Sequence, residues 1–591
     1  MVNIEKYLLK AEKPAQYLGN ELNVAYKDDY DFHMCLIYPD LYEIGMSSIG
    51  IQILYFLLNE QKGVYLERAF APNIDMEKVM RENSVPMFSL ESKTALKDFD
   101  IIAFSLSYEM TYTNVLNIIN LSQIEIEREK RGEADPIILA GGTGSYNPKV
   151  LEKFIDVFAV GEGEDVSVEI ANLMKKLKGK TKDEKLEALS KIEGVYVPKF
   201  YNGGKIKKRV VKDLNNSYFP EKWLVPYIRT VHHRLSVEIQ RGCTRGCRFC
   251  QAGMIYRSVR ERSLENNFNL IKNCLDKTGF GEVSLSSLSS SDYTQIEGLV
   301  DKLQEEYKDE NLAVALPSLR IDKFSLNLAK KIEQVRKTGF TFAPEAGSQR
   351  MRDVINKGIN EEDIIETAKG AFQAGWRHIK FYFMIGLPFE TDEDVKEIYN
   401  LTKRVLLEGL KIRRDIEITV SVSNYVPKSH TPFQGMEQMG IEEMIRKHNI
   451  LRGAFYKEKK LKLKIHRREL SYLEGFLSRG DEKIGDLIKL AWEKGAKFDG
   501  WKEHFNFEAW KEAISELGIN ENDYFKEKSL DDKFSWDLID AGIEKEYFKT
   551  ELEKAKNKAL TKDCREGCTN CGVCWNLGVK MEIEKRGNKN G

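Results

Sequence analysis

The chain has 591 residues, of which 42% are hydrophobic, and its 91 basic and 92 acidic residues nearly cancel. This length predicts roughly three or four domains, and the charge balance gives no electrostatic argument for a nucleic-acid or membrane partner. The sequence shows no N-terminal signal pattern and no apolar run long enough to span a bilayer, so we expect a cytoplasmic protein.

The N-terminal third, residues 1–200, alternates predicted strands with predicted helices. The apolar runs that predict buried strands are 34–38, 101–105, 137–140 and 157–160. This alternation predicts an α/β domain with a doubly wound, Rossmann-like parallel sheet, which binds ligands beyond the carboxyl ends of its strands. The candidate ligand-binding residues at that edge are Asp40, Tyr42, Gly45, Ser105, Ser107, Gly141 and Gly142.

Residues 201–234 are expected to link two domains. Extended segments on both sides of residues 202–205, Asn-Gly-Gly-Lys, predict a β-hairpin. His232 and His233 have no cysteine or carboxylate pattern beside them, so we expect them to pack between domains and not to bind a metal.

The centre of the chain holds three closely spaced cysteines, Cys243, Cys247 and Cys250. They follow an alternating apolar run at 235–239 that predicts a short strand, so the three thiols should share one loop at its carboxyl end. Thiolates are the ligands of iron–sulfur clusters and of zinc. Three of them would leave one iron of a cubane cluster open to another ligand. The alternative is a zinc loop whose fourth ligand lies elsewhere.

Charged residues flank two of these motifs. Arg241, Arg245 and Arg248 surround the cysteines and are expected to lower the pKa values of the thiols. Glu162 and Glu164 follow the fourth predicted strand, where we expect a solvated helix start because carboxylates suit the helix dipole there. We assign no catalytic role to either glutamate.

Predicted strands and amphipathic helices alternate again in residues 235–435, which predicts a partial (βα)6 barrel resembling a TIM barrel. Sites in such barrels form at the carboxyl ends of the strands. The sequence leaves open whether Tyr382 and Tyr425 face the cavity or the wall. The predicted strands are 235–239, 282–285, 313–316, 340–343, 379–385 and 416–422. The candidate residues at their ends are Ser286, Ser318, Glu345, Arg352, Gly386 and Leu387.

Residues 436–560 are expected to be mostly helical. Ile484, Leu487, Ile488 and Ala491 repeat with helical spacing, and a dense set of aromatic residues follows. The pattern predicts a helical domain with an aromatic core, and the alternative is a lid over the barrel mouth. The arginines at 467, 468 and 479 form either an anion-binding surface or a solvated charged face.

The last segment, residues 561–591, carries four more cysteines within eleven positions: Cys564, Cys568, Cys571 and Cys574. Four thiolates bind either a zinc ion or a second 4Fe–4S cluster. A single compact run is typical of ferredoxins, whereas zinc usually takes two separated Cys-x2-Cys pairs. We therefore favour an iron–sulfur cluster over zinc.

The central motif, with Phe249 directly before its last cysteine, resembles that of the radical S-adenosylmethionine (SAM) enzymes. The resemblance implies a 4Fe–4S cluster on the three cysteines, with SAM chelating the free iron. It also implies that the reduced cluster cleaves SAM to a 5′-deoxyadenosyl radical, with a reductant such as flavodoxin or ferredoxin.

The same resemblance implies roles for the residues at the barrel strand ends. Ser286 would bind the SAM amino group, Glu345 would contact SAM, and Arg352 would pair with the SAM carboxylate. Gly386 and Leu387 would lie against the adenine. Ser318 ends the third strand and belongs to the same expected site.

The N-terminal strand ends resemble those of the cobalamin-binding domains found upstream of many radical SAM domains. Domains that replace the lower base of cobalt by histidine carry Asp-x-His-x-x-Gly, and here the motif is Asp40-x-Tyr42-x-x-Gly45. The resemblance implies bound cobalamin without a histidine ligand at this position. The alternative is a Rossmann-like domain that only supports the catalytic one.

Nearly the whole chain resembles cobalamin-binding radical SAM proteins with a C-terminal cysteine cluster. The first hypothesis is an enzyme that starts radical chemistry on SAM and methylates a carbon with the help of cobalamin. The rivals are a methylthiotransferase acting on RNA or ribosomal protein, and a non-catalytic redox or cobalamin sensor. No nucleic-acid-binding motif is present, and the sequence does not name the substrate, the axial ligand of cobalt or the oligomeric state.

Overall fold

The N-terminal third forms one six-stranded sheet in the computed structural model, which describes residues 2–318, 320–321 and 340–583. Its strands are β1 (Phe32–Tyr38), β2 (Val64–Phe70), β3 (Ile101–Ser105), β4 (Ile137–Gly141), β5 (Val157–Ala159) and β6 (Val195–Tyr196). Their order is β2-β1-β3-β4-β5-β6. All neighbours pair in parallel except β6, which is antiparallel to β5.

Helices cover both faces of this sheet, which confirms the doubly wound prediction. The helices are α1 (Glu5–Leu8), α2 (Tyr42–Gly45), α3 (Ile49–Asn59), α4 (Ile74–Glu82), α5 (Tyr112–Leu121), α6 (Gly163–Lys176) and α7 (Lys182–Leu189). Successive side chains of a strand point to opposite faces. Met34 and Leu36 of β1 therefore share a core with α3, α6 and α7, whereas Cys35 and Ile37 share the other core with α4 and α5.

The linker does not form the predicted hairpin. Residues 195–196 of the first predicted arm form β6, at the edge of the N-terminal sheet, whereas the second predicted arm, 209–211, forms no strand and contributes only a bridge from Arg209 to Gly161. The short strand between the two arms, β7 (Ile206–Lys207), pairs in parallel with Ile539–Asp540. An isolated two-stranded hairpin is marginal in water, and here each arm pairs with another segment of the chain. The two histidines are exposed and not packed between domains as expected. The His232 backbone amide donates to Ser47 Oγ (3.1 Å), and the His233 ring lies edge-on to Phe280.

The central strands form two parallel sheets, and all six predicted barrel strands are present. The six are β8 (Leu235–Glu238), β11 (Glu282–Ser286), β12 (Ala313–Ala315), β13 (Phe340–Glu345), β14 (His378–Ile385) and β15 (Glu417–Asn424). A further strand, β16 (Leu461–Ile465), joins the second sheet, and β9 (Gln240–Arg241) and β10 (Arg260–Glu261) form a separate antiparallel pair. The sheets run β12-β11-β8 and β13-β14-β15-β16. Strand β16 lies in the region expected to be helical, although its Leu-Lys-Leu-Lys-Ile alternation is a strand pattern.

Helices pack on the outer side of the second sheet and leave its inner side polar. The helices of this part are α8 (Gln251–Ile255), α9 (Leu264–Thr278), α10 (Ile296–Glu306), α11 (Gln349–Val354), α12 (Glu361–Gln373), α13 (Asp392–Ile412) and α14 (Ile441–Phe455). Ile379 and Phe381 face the helices, whereas Tyr382, on the opposite side of β14, is 39% exposed. Tyr425 belongs to the wall, since its buried hydroxyl donates to the carbonyl of Phe433 (3.3 Å).

The C-terminal helices complete the core of the N-terminal domain. They are α15 (Arg468–Arg479), α16 (Glu482–Glu493), α17 (Phe507–Glu516), α18 (Asn522–Phe525), α19 (Lys545–Lys556) and α20 (Val573–Asn576), with strand β17 (Ile539–Asp540). The predicted stripe of α16 is fully buried and shares a core with Trp510 and α5. The region is mostly helical, as expected, but the α16 stripe packs on the α4/α5 face of the N-terminal sheet and shares its core.

The arginines of this region do not form an anion-binding surface together. Arg479 is buried and donates to the carbonyl of Met436 (2.8 Å), whereas the Arg467 guanidinium lies 4.8 Å from the ring centre of Phe505. None of the described helices is long and apolar enough to cross a membrane. The last eight residues of the predicted tail segment, 584–591, lie outside the described residues.

Candidate active site

The three central cysteines share one loop at the end of the first barrel strand, as predicted. The chain passes from β8 through β9 and turns at Gly242, whose φ of +85° and close approach to the carbonyls of Tyr256 and Ser258 leave no room for a side chain. The loop ends at Cys250, whose sulfur accepts a hydrogen bond from the Gly253 amide (3.3 Å) at the start of α8. Backbone donors of this kind suit a cluster-bound thiolate.

The thiols are close enough to influence one another. Burial, together with Cys247, raises the pKa of Cys243 to about 11 and that of Cys250 to about 12. The cations that oppose these increases are Arg320 at Cys243 and Lys357 at Cys250. A metal deprotonates a coordinating thiol outright, so the raised pKa values do not prevent the thiols from binding iron. The three sulfurs of the loop can each bind a different iron of one cluster.

The prediction that three neighbouring arginines lower the thiol pKa values was wrong. Arg241 is paired with Glu162, Glu164 and Glu238 at 3.1, 2.6 and 2.7 Å. Arg245 is paired with Asp292 and Asp563, and the fully buried Arg248 with Glu551. Carboxylates balance these cations, and the pKa values of Cys243 and Cys250 stay raised by burial, although the Arg245 amide opposes the increase at Cys243.

The prediction that Glu162 and Glu164 lie at a solvated helix start was also wrong. Glu162 and Glu164 are only 8% and 7% exposed, so they are not a solvated helix start. Both oxygens of Glu162 accept from Arg260 at 2.8 Å. Burial alone would raise the pKa of Glu162, but Arg241 and Arg260 outweigh it and lower the pKa to about 2. The arginines of the cysteine motif have no acidic residues beside them in the sequence. That was the signal that buried carboxylates from elsewhere in the chain, such as Glu162, would pair with them.

Two predicted SAM-binding residues stand near the cysteine loop. Ser286 ends β11, whose partner strand β8 leads into the loop. Glu345 ends β13 with a φ of +69°, and its carboxylate accepts from Lys357 Nζ at 3.1 Å. Because Lys357 also acts on Cys250, this ion pair lies on the cluster side of the barrel.

Arg352 does not face that side. It is fully buried, and its guanidinium donates to the carbonyls of Ala346 (3.2 Å) and Gly347 (2.8 Å) and to Gln349 Oε1 (2.9 Å). The predicted pairing with the SAM carboxylate is therefore wrong, because Arg352 stabilises the turn that follows β13. The position of Arg352 in the sequence, seven residues after Glu345, did not reveal that its side chain points into the protein.

The remaining barrel candidates lie in the wall at the strand ends. The Gly386 amide donates to Glu390 Oε1 (2.7 Å), and Leu387 is buried in an apolar cluster with Met351 and Tyr425. The carbonyl of Ser318 accepts from the amide of Ser290 (2.9 Å). The adenine contact of Gly386 and Leu387 stays a prediction.

A cavity of about 460 Å³ lies between the N-terminal sheet and the barrel. Its inner walls are the apolar side chains of one sheet face, including Leu36 and Leu139, together with residues of α3 and α6. Four of the N-terminal candidates line it: Ser105, Ser107, Gly141 and Gly142. Their contact with a cofactor stays a prediction. On the barrel side it is bounded by residues next to the cysteine loop, among them Glu238, Gln240, Arg241, Tyr256 and Ser286.

The other three N-terminal candidates do not line this cavity. Asp40 accepts from the indole of Trp501 (2.8 Å), and the buried Tyr42 donates to Glu21 (2.9 Å). Gly45 packs against the ring of Phe70. The Asp-x-Tyr-x-x-Gly segment is thus a packing element, which corrects its predicted contact with cobalamin.

The four tail cysteines lie against the central loop, although more than 300 residues separate the two motifs in the sequence. The Cys564 amide donates to the carbonyl of Thr244 (3.1 Å), and Thr244 Oγ1 donates to Asp563 (2.8 Å). Cys571 is buried, whereas Cys568 and Cys574 are exposed. Among the described residues, no three Cys, His, Asp or Glu side chains converge on a single metal ion.

The sequence matches the family of N-terminal regions of radical SAM proteins over residues 50–198 and the radical SAM superfamily over residues 237–402. An uncharacterised protein of Methanocaldococcus jannaschii is 30% identical over 77% of this chain and 90% of its own. The Aquifex aeolicus threonylcarbamoyladenosine tRNA methylthiotransferase MtaB is 24% identical over 69% of this chain and 97% of its own.

Solved structures with a similar fold include the cobalamin-dependent SAM radical enzyme OxsB with aqua-cobalamin and SAM bound. It covers 97% of this chain and 88% of its own, with a TM-score of 0.48 and 14% identity. The radical SAM methyltransferase TsrM from Kitasatospora setae covers 66% of this chain and 72% of its own, with a TM-score of 0.47 and 12% identity.

The cysteine loop on a parallel, barrel-type sheet defines a radical SAM enzyme, and the family matches agree. The chain belongs to the radical SAM superfamily. A 4Fe–4S cluster and SAM are therefore its cofactors, and Cys243, Cys247 and Cys250 are the residues that fit the cluster.

Proposed function

We propose that this radical SAM enzyme binds cobalamin in the cavity beside the cysteine loop and methylates a carbon of its substrate. The observation that carries the proposal is the cavity itself. It has a volume typical of ligand sites, and one side is bounded by Gln240 and Ser286, close to the cluster-binding loop. A group held there would face the place where SAM is cleaved.

The walls suit a large, flat cofactor with an apolar extension. Apolar side chains line the space between the sheet and helices α3 and α6, and small residues stand at the strand ends. Gly142, with a φ of +95°, lets the chain turn where a side chain would strike the Leu106 backbone. Bound cobalamin would supply a transferable methyl group.

Neither histidine nor cysteine is among the residues that line this cavity in the described part of the chain. Tyr42, at the usual histidine position, points to Glu21 instead. We therefore propose that cobalamin is held without a histidine or cysteine ligand from this domain. The hydroxyl and backbone groups at the strand ends would be the polar groups beside it.

The residues of the chain have three tasks in this reaction. The three thiols hold the cluster, and Glu345 with Lys357 and Ser286 position SAM beside it. The ion pairs of Arg241 and Arg260 with Glu162 hold the N-terminal domain against the barrel. The protein thereby positions the cofactors and keeps water from the radical, whereas the cofactors carry out the chemistry.

We also propose that the tail cysteines hold a second 4Fe–4S cluster and that flavodoxin or ferredoxin supplies electrons. All four thiols stand in one short run, and all nine cysteines of the chain are free. A reducing compartment keeps such thiols available, so we place the enzyme in the cytoplasm.

The first test is a count of iron, zinc and cobalt in protein purified anaerobically from cells supplied with cobalamin. We expect about eight irons, because each cubane cluster holds about four, together with about one cobalt and no zinc. Reduced protein should convert SAM to 5′-deoxyadenosine and methionine. If the cofactors bind but SAM stays intact, the chain is a sensor and the proposed activity is wrong.

The cavity is tested by Ser107→Trp, with Ser107→Ala as the matched control. Ser107 is an exposed cavity residue whose hydroxyl lies 2.7 Å from that of Tyr38. An indole at this position should occupy part of the cavity and weaken cobalamin binding by about tenfold or more, a change of 1.4 kcal/mol. The iron content should not change. Unaltered cobalt binding in the tryptophan variant would place cobalamin elsewhere.

A methylthiotransferase is the second candidate, and one observation favours it. Relatives that carry that activity in their names include MtaB and the ribosomal protein uS12 methylthiotransferase RimO of Leptospira biflexa, which is 26% identical over 37% of this chain and 48% of its own. A sulfur donor must lie near the cluster, and the tail cysteines do. Incorporation of labelled sulfide into the product would establish this activity, whereas a methylated product without new sulfur would exclude it.

A further inference from the structure

The tail loop, residues 563–574, lies between solvent and the central cysteine loop. Two of its cysteines, Cys564 and Cys571, are half-buried or buried, and the other two, Cys568 and Cys574, are exposed. A cluster on these four thiols would have one side on the protein surface and the other against the cluster-binding loop.

The inner side is bonded directly to the central loop. The Cys564 amide donates to the carbonyl of Thr244, which directly follows the cluster ligand Cys243. Asp563, the residue before Cys564, accepts from Thr244 Oγ1 (2.8 Å) and pairs with Arg245 (3.0 Å). One hydrogen bond between main chains therefore connects a tail ligand to a neighbour of a central ligand.

A second connection passes through Arg257, which is only 3% exposed. Its guanidinium donates to the carbonyls of Arg245 (3.0 Å) and Gly253 (3.2 Å), on either side of Cys247 and Cys250. Burial lowers the pKa of Arg257, but Tyr547 and the thiols of Cys571 and Cys564 outweigh that effect. The same cation therefore contacts the central loop and lies beside the buried tail thiols.

The outer side has the features of a docking surface for a protein. Trp575, directly after Cys574, is 56% exposed, and Leu560 is 55% exposed. Lys562 and Lys580 are exposed on the same segment, and Lys562 passes over Gly567, beside Cys568. The same segment also has two exposed glutamates, Glu566 and Glu582. An exposed tryptophan on a segment with exposed lysines can receive an acidic partner at its basic positions, because opposite charges steer association.

The central loop is shielded on this side by the tail. Arg248 donates to Glu551 of α19 (3.0 Å) and to the carbonyl of Ala559 (2.7 Å), and the Ser258 hydroxyl donates to the carbonyl of Lys580 (2.9 Å). A protein that approaches from here meets the tail cysteines before it meets Cys243.

We propose that the tail loop is the point at which electrons enter this enzyme. The four tail cysteines would hold the accepting cluster, which would take one electron from the reduced flavin or iron–sulfur centre of an acidic donor protein. The Cys564–Thr244 and Arg257 contacts would connect it to the central cluster, whose one-electron reduction of SAM would break the sulfonium–C5′ bond to give methionine and a 5′-deoxyadenosyl radical. The donor is oxidised by one electron, and no bond or proton changes at the tail. This inference rests on the proposed second cluster.

The test compares two reductants on the same variants. Reduced ferredoxin is the protein donor, and dithionite is a small reductant that can reach the central cluster without docking. Rapid-freeze electron paramagnetic resonance measures how fast the central cluster is reduced, and 5′-deoxyadenosine measures SAM cleavage. For Cys568→Ser with Cys574→Ser, we expect reduction by ferredoxin to slow by about tenfold or more, while reduction by dithionite stays within about twofold of wild type.

Two variants leave all tail ligands in place, so the test does not depend on an intact fold of the cysteine double variant. Trp575→Ala and Lys562→Glu with Lys580→Glu should slow reduction by ferredoxin by about threefold to tenfold without loss of iron. Tyr456→Ala, which removes an 82% exposed aromatic residue just after α14 of the barrel, is the matched control and should change neither rate.

The outcomes separate this inference from the proposed function. If wild type with dithionite yields no 5′-deoxyadenosine, the radical SAM activity itself fails. If it does, but ferredoxin reduces the cysteine double variant at the wild-type rate, the tail is not the path of electrons. Equal losses with both reductants would mean that the tail only supports the central loop, and zinc in the tail would likewise overturn the proposal.

Discussion

The two cysteine loops use the same ligand type in opposite surroundings. The central loop follows a buried strand, and each of its arginines is paired with carboxylates from other parts of the chain. The tail loop follows the surface helix α19, and two of its four cysteines are exposed. Enclosure suits a site that must exclude water from a radical, whereas exposure suits a site that exchanges electrons with a partner.

The difference teaches that burial and charge pairing, and not cysteine spacing, distinguish the two sites. Asp292 shows how they are coupled, because it accepts from Arg245 of the central loop and from Arg565 of the tail, both at 2.8 Å. Burial would raise the pKa of Asp292, but these arginines lower it well below the ordinary range. Asp292 therefore stays charged and holds the two loops together.

The largest effect is expected from the cysteines themselves. Cys247→Ala should abolish SAM cleavage with any reductant and reduce the iron count from about eight to about four per chain. Cys571→Ala should reduce the iron count equally but preserve cleavage driven by dithionite. Iron analysis and 5′-deoxyadenosine yield check both. If Cys571→Ala also loses SAM cleavage driven by dithionite, then the tail loop is needed for the cleavage itself and does not only accept electrons.

The enclosure of the central loop is tested by Arg260→Met. Arg260 is fully buried and binds both oxygens of Glu162, so its removal leaves a buried carboxylate with less compensation. We expect a loss of roughly 3–5 kcal/mol in the free energy of unfolding, measured by urea denaturation. Lys511→Met breaks the exposed pair with Glu508 on α17 and should have no measurable effect.

The same pair predicts a pH dependence of stability. The folded-state pKa of Glu162 is about 2, against an ordinary value of 4.5. Because the folded pKa is the lower one, its stabilisation is fully present above about pH 4.5 and is lost as the pH falls toward 2, a change of about 3 kcal/mol. The difference in unfolding free energy between wild type and Glu162→Gln should shrink across this range. A constant difference would contradict the prediction.

The smallest effect is expected at the SAM contacts. Glu345→Gln removes the charge beside Lys357 and should raise the KM for SAM by about tenfold, or 1.4 kcal/mol. Arg352→Gln, which disrupts a buried turn, should lower the melting temperature but leave the KM unchanged. An unchanged KM in Glu345→Gln would show that this carboxylate does not bind SAM.

Local pattern was enough to predict the elements that position the site. The strands with strongly apolar sequences, such as β1, β3 and β14, were predicted within a few residues, and the three thiols follow β8 and β9 in the expected loop. Strand β16 was missed because its Leu-Lys alternation lies between long helices. The hairpin was wrong because each of its arms found a partner elsewhere in the chain.

The cofactor loops show the limit of motif spacing. Ser105, Ser107, Gly141 and Gly142 line the cavity, but Tyr42 and Asp40 point into packing contacts with Glu21 and Trp501. The direction of a side chain depends on its neighbours in space, and Trp501 comes from a helical region more than 400 residues away.

The sequence by itself indicated the superfamily and the positions of most strands, because apolar strand patterns and cysteine spacing are local properties of the chain. Only the tertiary structure decided which charges meet. The pairing of Glu162 with Arg260, of Asp563 with Arg245 and of the tail with Thr244 joins segments that are distant in sequence. Such contacts depend on how whole domains pack. A buried charge without a partner is costly, so each buried charge is paired with an opposite charge that the packing brings within reach.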